Sequence, residues 1–306
     1  RFLFACKYSY ICTQKGNVIQ GGMVPKEYTI NVRGRLMSLE KPVVMGILNA
    51  TPDSFFAGSR VQTEREIACR ADQIVEEGGL IIDVGAFSTR PGAREVTEDE
   101  EAGRLRQALS VVRREHPDVA VSVDTFRPRV ARRCIEEWGA DIINDVSEGG
   151  QTGIVNTPVH EDERMFDVAA ALHVPYILMS VQSSMEQMLL SFSRELQELQ
   201  LAGVSDVIID PGFGFGKTLD ENYRVMAALG ELQALRQPLL VGVSRKSMVY
   251  RLLDSSPQEA LAGTTALHVM ALQAGAKLLR VHDVRQAVDT VAVFGKVNAS
   301  RSFVNQ

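Results

Sequence analysis

The sequence predicts an α/β fold, a (β/α)8 TIM barrel with an N-terminal β-hairpin and long loops after its first and second strands. Three observations carry this reading. Eight short apolar runs each end in a polar residue, and a turn with a helical stretch follows each one. The runs are continuous rather than alternating, as in parallel strands buried on both faces by flanking helices. They are Val43–Leu48 ending at Asn49, Leu80–Ile82 at Asp83, Ala120–Val123 at Asp124, and Ile142–Ile143 at Asn144. The second four are Tyr176–Met179 at Ser180, Val207–Ile209 at Asp210, Leu239–Val243 at Ser244, and Leu278–Leu279 at Arg280. Eight such units close into a barrel whose chemistry lies at the carboxyl ends of the strands.

The other elements follow in order. Tyr28–Val32 and Leu36–Leu39, around Arg33-Gly34-Arg35, read as a β-hairpin plugging the bottom of the barrel. Thr63–Glu77 has helical apolar spacing at Ile67, Ala71, Ile74 and Val75, and Gly78-Gly79 stops it. Glu98–Arg114 starts behind a Thr97-x-x-Glu100 capping box. Helices are also expected over Arg127–Trp138, Met165–Leu172, Met185–Leu201, Asn222–Leu235, Pro257–Gln273 and Val284–Val297, with a loop over Gln151–Arg164. Residues 1–22 read as an N-terminal extension, poorly ordered, with Met23 as a natural start; residues 23–306 form a single barrel domain. The extension lacks the apolar core and cleavage site of a signal peptide.

Composition excludes several classes. The 306 residues are 45% hydrophobic and 23% charged, with net charge -5, so no positive field exists to attract nucleic acid or an anionic membrane. No run approaches the roughly 18 apolar residues of a membrane span. Cys6, Cys12, Cys69 and Cys134 form no C-x-x-C pair, which suits a reduced, cytoplasmic chain.

The polar residues at the strand ends carry the chemistry. Asp124, Asn144 and Asp210 each close a buried run and point into the barrel mouth. Alone, Asp124 could cap the next helix and Asp210 the Pro211-Gly212 turn. Three acceptor-rich side chains at one rim instead favour a flat heterocycle with several N–H donors. Ser244-Arg245-Lys246-Ser247 brings cations and a helix start to the seventh strand, where barrels often bind phosphate. Arg280-Val281-His282 adds a cation and an imidazole from the eighth. Gly212-Phe213-Gly214-Phe215-Gly216-Lys217-Thr218 is no P-loop, because Pro211 stands where the first glycine belongs, and reads as a tight turn beside a ligand. His116, His160, His173 and His268 join no constellation, and Glu98–Glu101 is the acidic first turn of a helix. Long loops over Thr51–Arg60 and Ser88–Arg94 lie at the same face.

At these residues the chain closely resembles the dihydropteroate synthase family. The matching motifs are Met45–Phe55, Asp83-Val84-Gly85, Ser88–Gly92, Ser122–Thr125, Ile143–Val146, Asp210–Thr218, Ser244–Ser247 and Arg280–Val284, in order from roughly Tyr28 to Phe294. The resemblance implies condensation of para-aminobenzoate with hydroxymethyl-dihydropterin pyrophosphate. By motif position, Asp124, Asn144, Asp210 and Lys246 would hold the pterin, Met179 would line its pocket, and Arg280 would stack on the ring. Asn49 and His282 would meet the pyrophosphate, with Mg2+ bridging near Asn49. Phe55, Thr89, Arg90, Pro91 and Ser247 would form the para-aminobenzoate side. Catalytic roles would fall to Asp53, Lys246, Arg280 and His282. A homodimer packed through barrel helices is implied as well.

Three departures stand out. Ala50 replaces the usual valine, Ser180 follows Met179 where the family commonly has histidine, and Glu148 is inserted in a Ser147–Gly149 turn. A pterin-binding methyltransferase barrel and a non-catalytic pterin binder remain as alternatives at this stage.

Overall fold

The computed structural model describes residues 27–50, 59–87, 96–148 and 163–304. Two strands form the hairpin: β1 (Thr29–Val32) and β2 (Arg35–Ser38), antiparallel, with Ile30 opposite Met37. Arg33 (φ 50°) and Gly34 (φ 75°) both hold left-handed backbone, as a two-residue turn matched to the strand twist requires.

The eight expected strands all form. They are β3 (Val43–Asn49), β4 (Ile81–Gly85), β5 (Ala120–Asp124), β6 (Ile142–Asp145), β7 (Tyr176–Met179), β8 (Val207–Asp210), β9 (Leu240–Val241) and β10 (Leu278–Val281). All pair in parallel in chain order, and β10 returns beside β3. A single bridge between Ile209 and Leu239 joins β8 to the start of β9 and completes the cylinder. The seventh strand is thus shorter than its apolar run, Leu239–Val243, suggests.

The helices are α1 (Ser59–Glu76), α2 (Glu98–Glu115), α3 (Pro128–Glu136), α4 (Met165–Leu172), α5 (Met185–Leu201), α6 (Leu219–Ala228), α7 (Ser247–Leu252), α8 (Leu261–Gln273) and α9 (Val284–Val304). The expected capping box opens α2, with Thr97 and Glu100 bonding reciprocally. The helix expected over Asn222–Leu235 starts earlier, behind a second capping box at Thr218 and Glu221, and tightens to a 3-10 helix over Leu229–Leu235. The helix expected from Pro257 begins four residues later, at Leu261.

Side chains alternate between the barrel interior and the helix layer. The lowest interior layer is apolar: Val43, Met45, Ile81, Ala120, Ile142, Ile177, Ile208, Leu240 and Leu278. Ile30, Val32 and Leu39 of the hairpin pack onto it, so the hairpin is the bottom plug the sequence predicts. A larger cluster outside the strands joins them to the helices. With the bottom sealed, the upper interior positions are left for polar groups.

Candidate active site

Two residues above the apolar layer, the same strands turn polar side chains inward. The step takes β4 from Ile81 to Asp83, β6 from Ile142 to Asn144, β8 from Ile208 to Asp210 and β10 from Leu278 to Arg280. On β5 the polar position is Asp124, paired in register with Asn144. On β7 the corresponding position is the apolar Met179, paired with Asp210. The three predicted acceptors therefore meet at one rim.

Arg280 organises this rim. Its Nε donates to Asp83 Oδ2 at 2.6 Å and its Nη2 to Asp124 Oδ2 at 2.5 Å. Asn144 Nδ2 lies 3.3 Å from each oxygen of the fully buried Asp83. Asp83 closes the second apolar run, yet it is absent from the predicted site residues. The signal was available, since it ends its run just as Asp124 and Asp210 end theirs.

Asp210 accepts the backbone N–H of Gly212 at 2.8 Å, so it caps its turn and also faces the mouth. Gly212 has φ 64°, and a Cβ there would fall 2.2 Å from the Ser180 carbonyl oxygen, so glycine is required. Lys217 Nζ fastens the turn by donating to the carbonyls of Ser180, Gly212 and Phe215. Lys246 reaches the same turn, donating to the Phe213 carbonyl with its ammonium 4.6 Å from the Phe215 ring centroid. Met179, Phe126 and Val146 form an apolar patch with Phe87, Val181 and Phe215.

The electrostatics follow from burial. Burial pushes the Asp124 carboxyl up to about 7, with Arg280 pulling the other way. Burial also raises Asp210, against the nearby Lys246 charge. Lys246 is lowered to about 8 by burial, so its ammonium is lost more readily than that of an exposed lysine. For Arg280 burial acts downward, but Asp83 and Asp124 more than reverse it. A fixed guanidinium among acidic and amide acceptors, with a titratable lysine opposite, suits a planar ring bearing amino and N–H groups.

At the phosphate side, His282 Nδ1 lies 3.1 Å from Ser244 Oγ, and burial followed by the Arg280 charge lowers the imidazole to about 4. Ser247 opens α7, next to Lys246. Asn49 ends β3 with its side chain exposed. The expected cationic cluster needs one correction: Arg245 is not free for an anion. Its guanidinium grips Asp283 through Nε at 2.9 Å and Nη2 at 2.6 Å. The other predicted site residues, Asp53, Phe55, Thr89, Arg90 and Pro91, lie outside the described residues.

Behind this rim, Glu101 corrects the reading of the α2 first turn. It is fully buried, accepts Thr125 Oγ1 at 2.6 Å and pairs with Arg127, which in turn donates to the Val96 carbonyl at 2.8 Å. Three consecutive acids serve the helix start, and the fourth braces the residues beside Asp124.

Fold and site together define a barrel enzyme that takes a flat, hydrogen-bonding heterocycle at its mouth. Residues 45–282 match the pterin binding enzyme family. The chain is 36% identical to the dihydropteroate synthase of Escherichia coli K12 over 276 residues, covering 85% of this chain and 93% of that protein. It superposes on Xanthomonas albilineans dihydropteroate synthase with 4-aminobenzoic acid at a TM-score of 0.77 and 35% identity, covering 90% and 99% of the two chains. The same enzyme in complex with 7,8-dihydropteroate gives a TM-score of 0.76 at 32% identity, covering 89% and 99%. The chain belongs to the dihydropteroate synthases within the pterin binding enzyme family.

Proposed function

We propose that this chain is a transferase joining para-aminobenzoate to hydroxymethyl-dihydropterin pyrophosphate, giving dihydropteroate and pyrophosphate. The observation that carries the reading is the convergence of Asp124, Asn144, Asp210, Lys246 and Arg280 at one rim. In this reading the carboxylates and the Asn144 amide accept the ring N–H groups, Lys246 donates to ring acceptors, and Arg280 presents its plane to the ring. Met179 and Phe215 supply apolar contact.

The C–O bond to pyrophosphate breaks as the amine nitrogen forms its C–N bond to the exocyclic carbon, and the amine proton leaves to solvent. Carboxylates at the rim, Asp83 among them, favour positive charge developing on that carbon. With the ring held in place, the reaction is chiefly one of positioning and needs no protein nucleophile. Neutral His282 and Ser247 would donate hydrogen bonds to the departing pyrophosphate. Phe55, Thr89, Arg90 and Pro91 would hold para-aminobenzoate, and Asp53 would face the developing cation.

Among the described residues, no group of three His, Cys, Asp or Glu could hold a metal ion. Asn49 offers one exposed oxygen donor, which suits a Mg2+ that takes its other ligands from phosphate and water. Such an ion would supply charge neutralisation for the leaving group.

We also propose a cytoplasmic homodimer. Among the described residues no helix is long and apolar enough to cross a membrane, and Cys69 and Cys134 are free thiols. The neighbouring helices α7, α8 and α9 leave Leu252, Leu253, Met270, Val293 and Val297 exposed, while α8 buries Leu267 and Leu272 inward. A helix apolar on both sides suits a partner on its outer face. Sedimentation should give a dimer that Met270→Glu converts to monomer.

The decisive test is pyrophosphate release. Purified protein should release it only with both substrates and Mg2+ present. Pterin binding without turnover would favour a non-catalytic binder.

A further inference from the structure

Two buried glutamates meet at one hydroxyl behind the pocket wall. Glu148, in the turn after β6, is 2% exposed and holds left-handed backbone, φ 54°. Glu195, on α5, is fully buried. Ser191 Oγ lies 2.7 Å from Glu148 Oε1 and 2.7 Å from Glu195 Oε1. A hydroxyl carries one proton. With both carboxylates ionised, one of these contacts would set lone pair against lone pair. The geometry therefore requires a further proton on one glutamate.

The surrounding partners decide which one. Glu148 also receives Gln182 Nε2 at 3.3 Å and Ser180 Oγ at 3.4 Å, and the Lys217 ammonium feels its charge. Glu195 has one further donor, Arg194 Nη2 at 3.4 Å on a mostly exposed side chain, and its Oε2 is buried without a partner. An orphaned buried oxygen is far less costly on a neutral acid than on an anion. Tyr176, nearby on β7, donates its hydroxyl proton to Asp145 Oδ2 at 2.5 Å. The proton therefore sits on Glu195, and burial and then the Glu148 charge both raise its carboxyl, against Ser191 and Arg194.

We infer that Glu148 is a positioning residue for the pterin pocket, held in place by a proton that Glu195 shares with it through Ser191. Its carboxylate fixes Ser180 and Gln182, the residues just beyond Met179. The Ser180 carbonyl receives Lys217, which clamps the turn whose Phe213 carbonyl receives Lys246. Two departures from the family pattern, Glu148 and Ser180, are thus one contact. The pocket role rests on the function proposed above; the shared proton does not.

Glu195→Gln and infrared spectroscopy test the proton directly. Wild-type protein at neutral pH should show a protonated-carboxyl band that Glu195→Gln lacks, because the amide donates permanently to Ser191. Glu148→Gln should raise KM for the pterin pyrophosphate about tenfold with kcat within about twofold, a split expected of lost ground-state positioning. As pH rises, wild-type KM should climb more than that of Glu195→Gln. Absence of the band would overturn the shared proton. An unchanged KM in Glu148→Gln would overturn the pocket role, and wild-type protein that binds no pterin would overturn that role together with the proposed function.

Discussion

Arg280 and Asp124 stand 2.5 Å apart although β10 and β5 are separated by two intervening strands. Their contact spans the barrel mouth rather than following the sheet. Asp83 takes the other edge of the same guanidinium at 2.6 Å, so two inward carboxylates share one cation.

Removing that cation strands both acids. Arg280→Ala should lose about 3–5 kcal/mol of unfolding free energy, the usual cost of breaking a buried pair on one side. Urea unfolding measures it. A loss under about 1 kcal/mol would mean the pair behaves as a surface contact.

Lys246 gives a pH signature. Burial lowers its ammonium to about 8, so the charge is present below that pH and lost above it. Affinity for the pterin pyrophosphate should weaken as pH rises through about 8, and Lys246→Ala should bind weakly at every pH. Calorimetry across that range checks both, and wild-type affinity in the alanine variant would remove Lys246 from the site.

The proposed para-aminobenzoate side includes Arg90. Arg90→Ala should impair use of para-aminobenzoate far more than pterin binding. Equal losses of both affinities would show that Arg90 serves the pterin instead.

Two histidines tie stability to acid. His268 is lowered to about 4 by burial, and its Nε2 is buried without a partner; His282 is lowered to about 4 as well. Below pH 6.5 the unfolded chain takes up protons that these folded imidazoles refuse. Stability should therefore fall as pH drops from about 6.5 toward 4, by about 2 kcal/mol per histidine at pH 5. His268→Leu should flatten that decline in urea titrations; an identical slope would show that His268 protonates freely when folded.

The barrel was legible because burial on both strand faces leaves a simple mark: Ile142-Ile143 and Val207–Ile209 can hardly lie elsewhere. Asp124, Asn144 and Asp210 were legible for the same reason, as polar breaks in apolar runs. Asp83 carries that mark too, but its importance comes from Arg280, 197 residues away, and no local pattern reports such a pairing. Glu101 was hidden more deeply. Beside Glu98, Asp99 and Glu100 it looks like helix-start charge, and only the packing of α2 against Thr125 and Arg127 buries it. Arg245 misled in the opposite sense, since an attractive cation next to Lys246 is neutralised by Asp283. The motif resemblance, not the physics of the residues, supplied the substrates.

The lone bridge from Ile209 to Leu239 makes β8 and β9 the barrel's seam. Asp210 stands just after one lip and Lys246 soon after the other. Lys246 crosses this seam, donating to the Phe213 carbonyl beyond β8, while Arg280 stands on β10, the strand beside β9. A side-chain strap therefore spans the joint that the backbone ladder leaves thin.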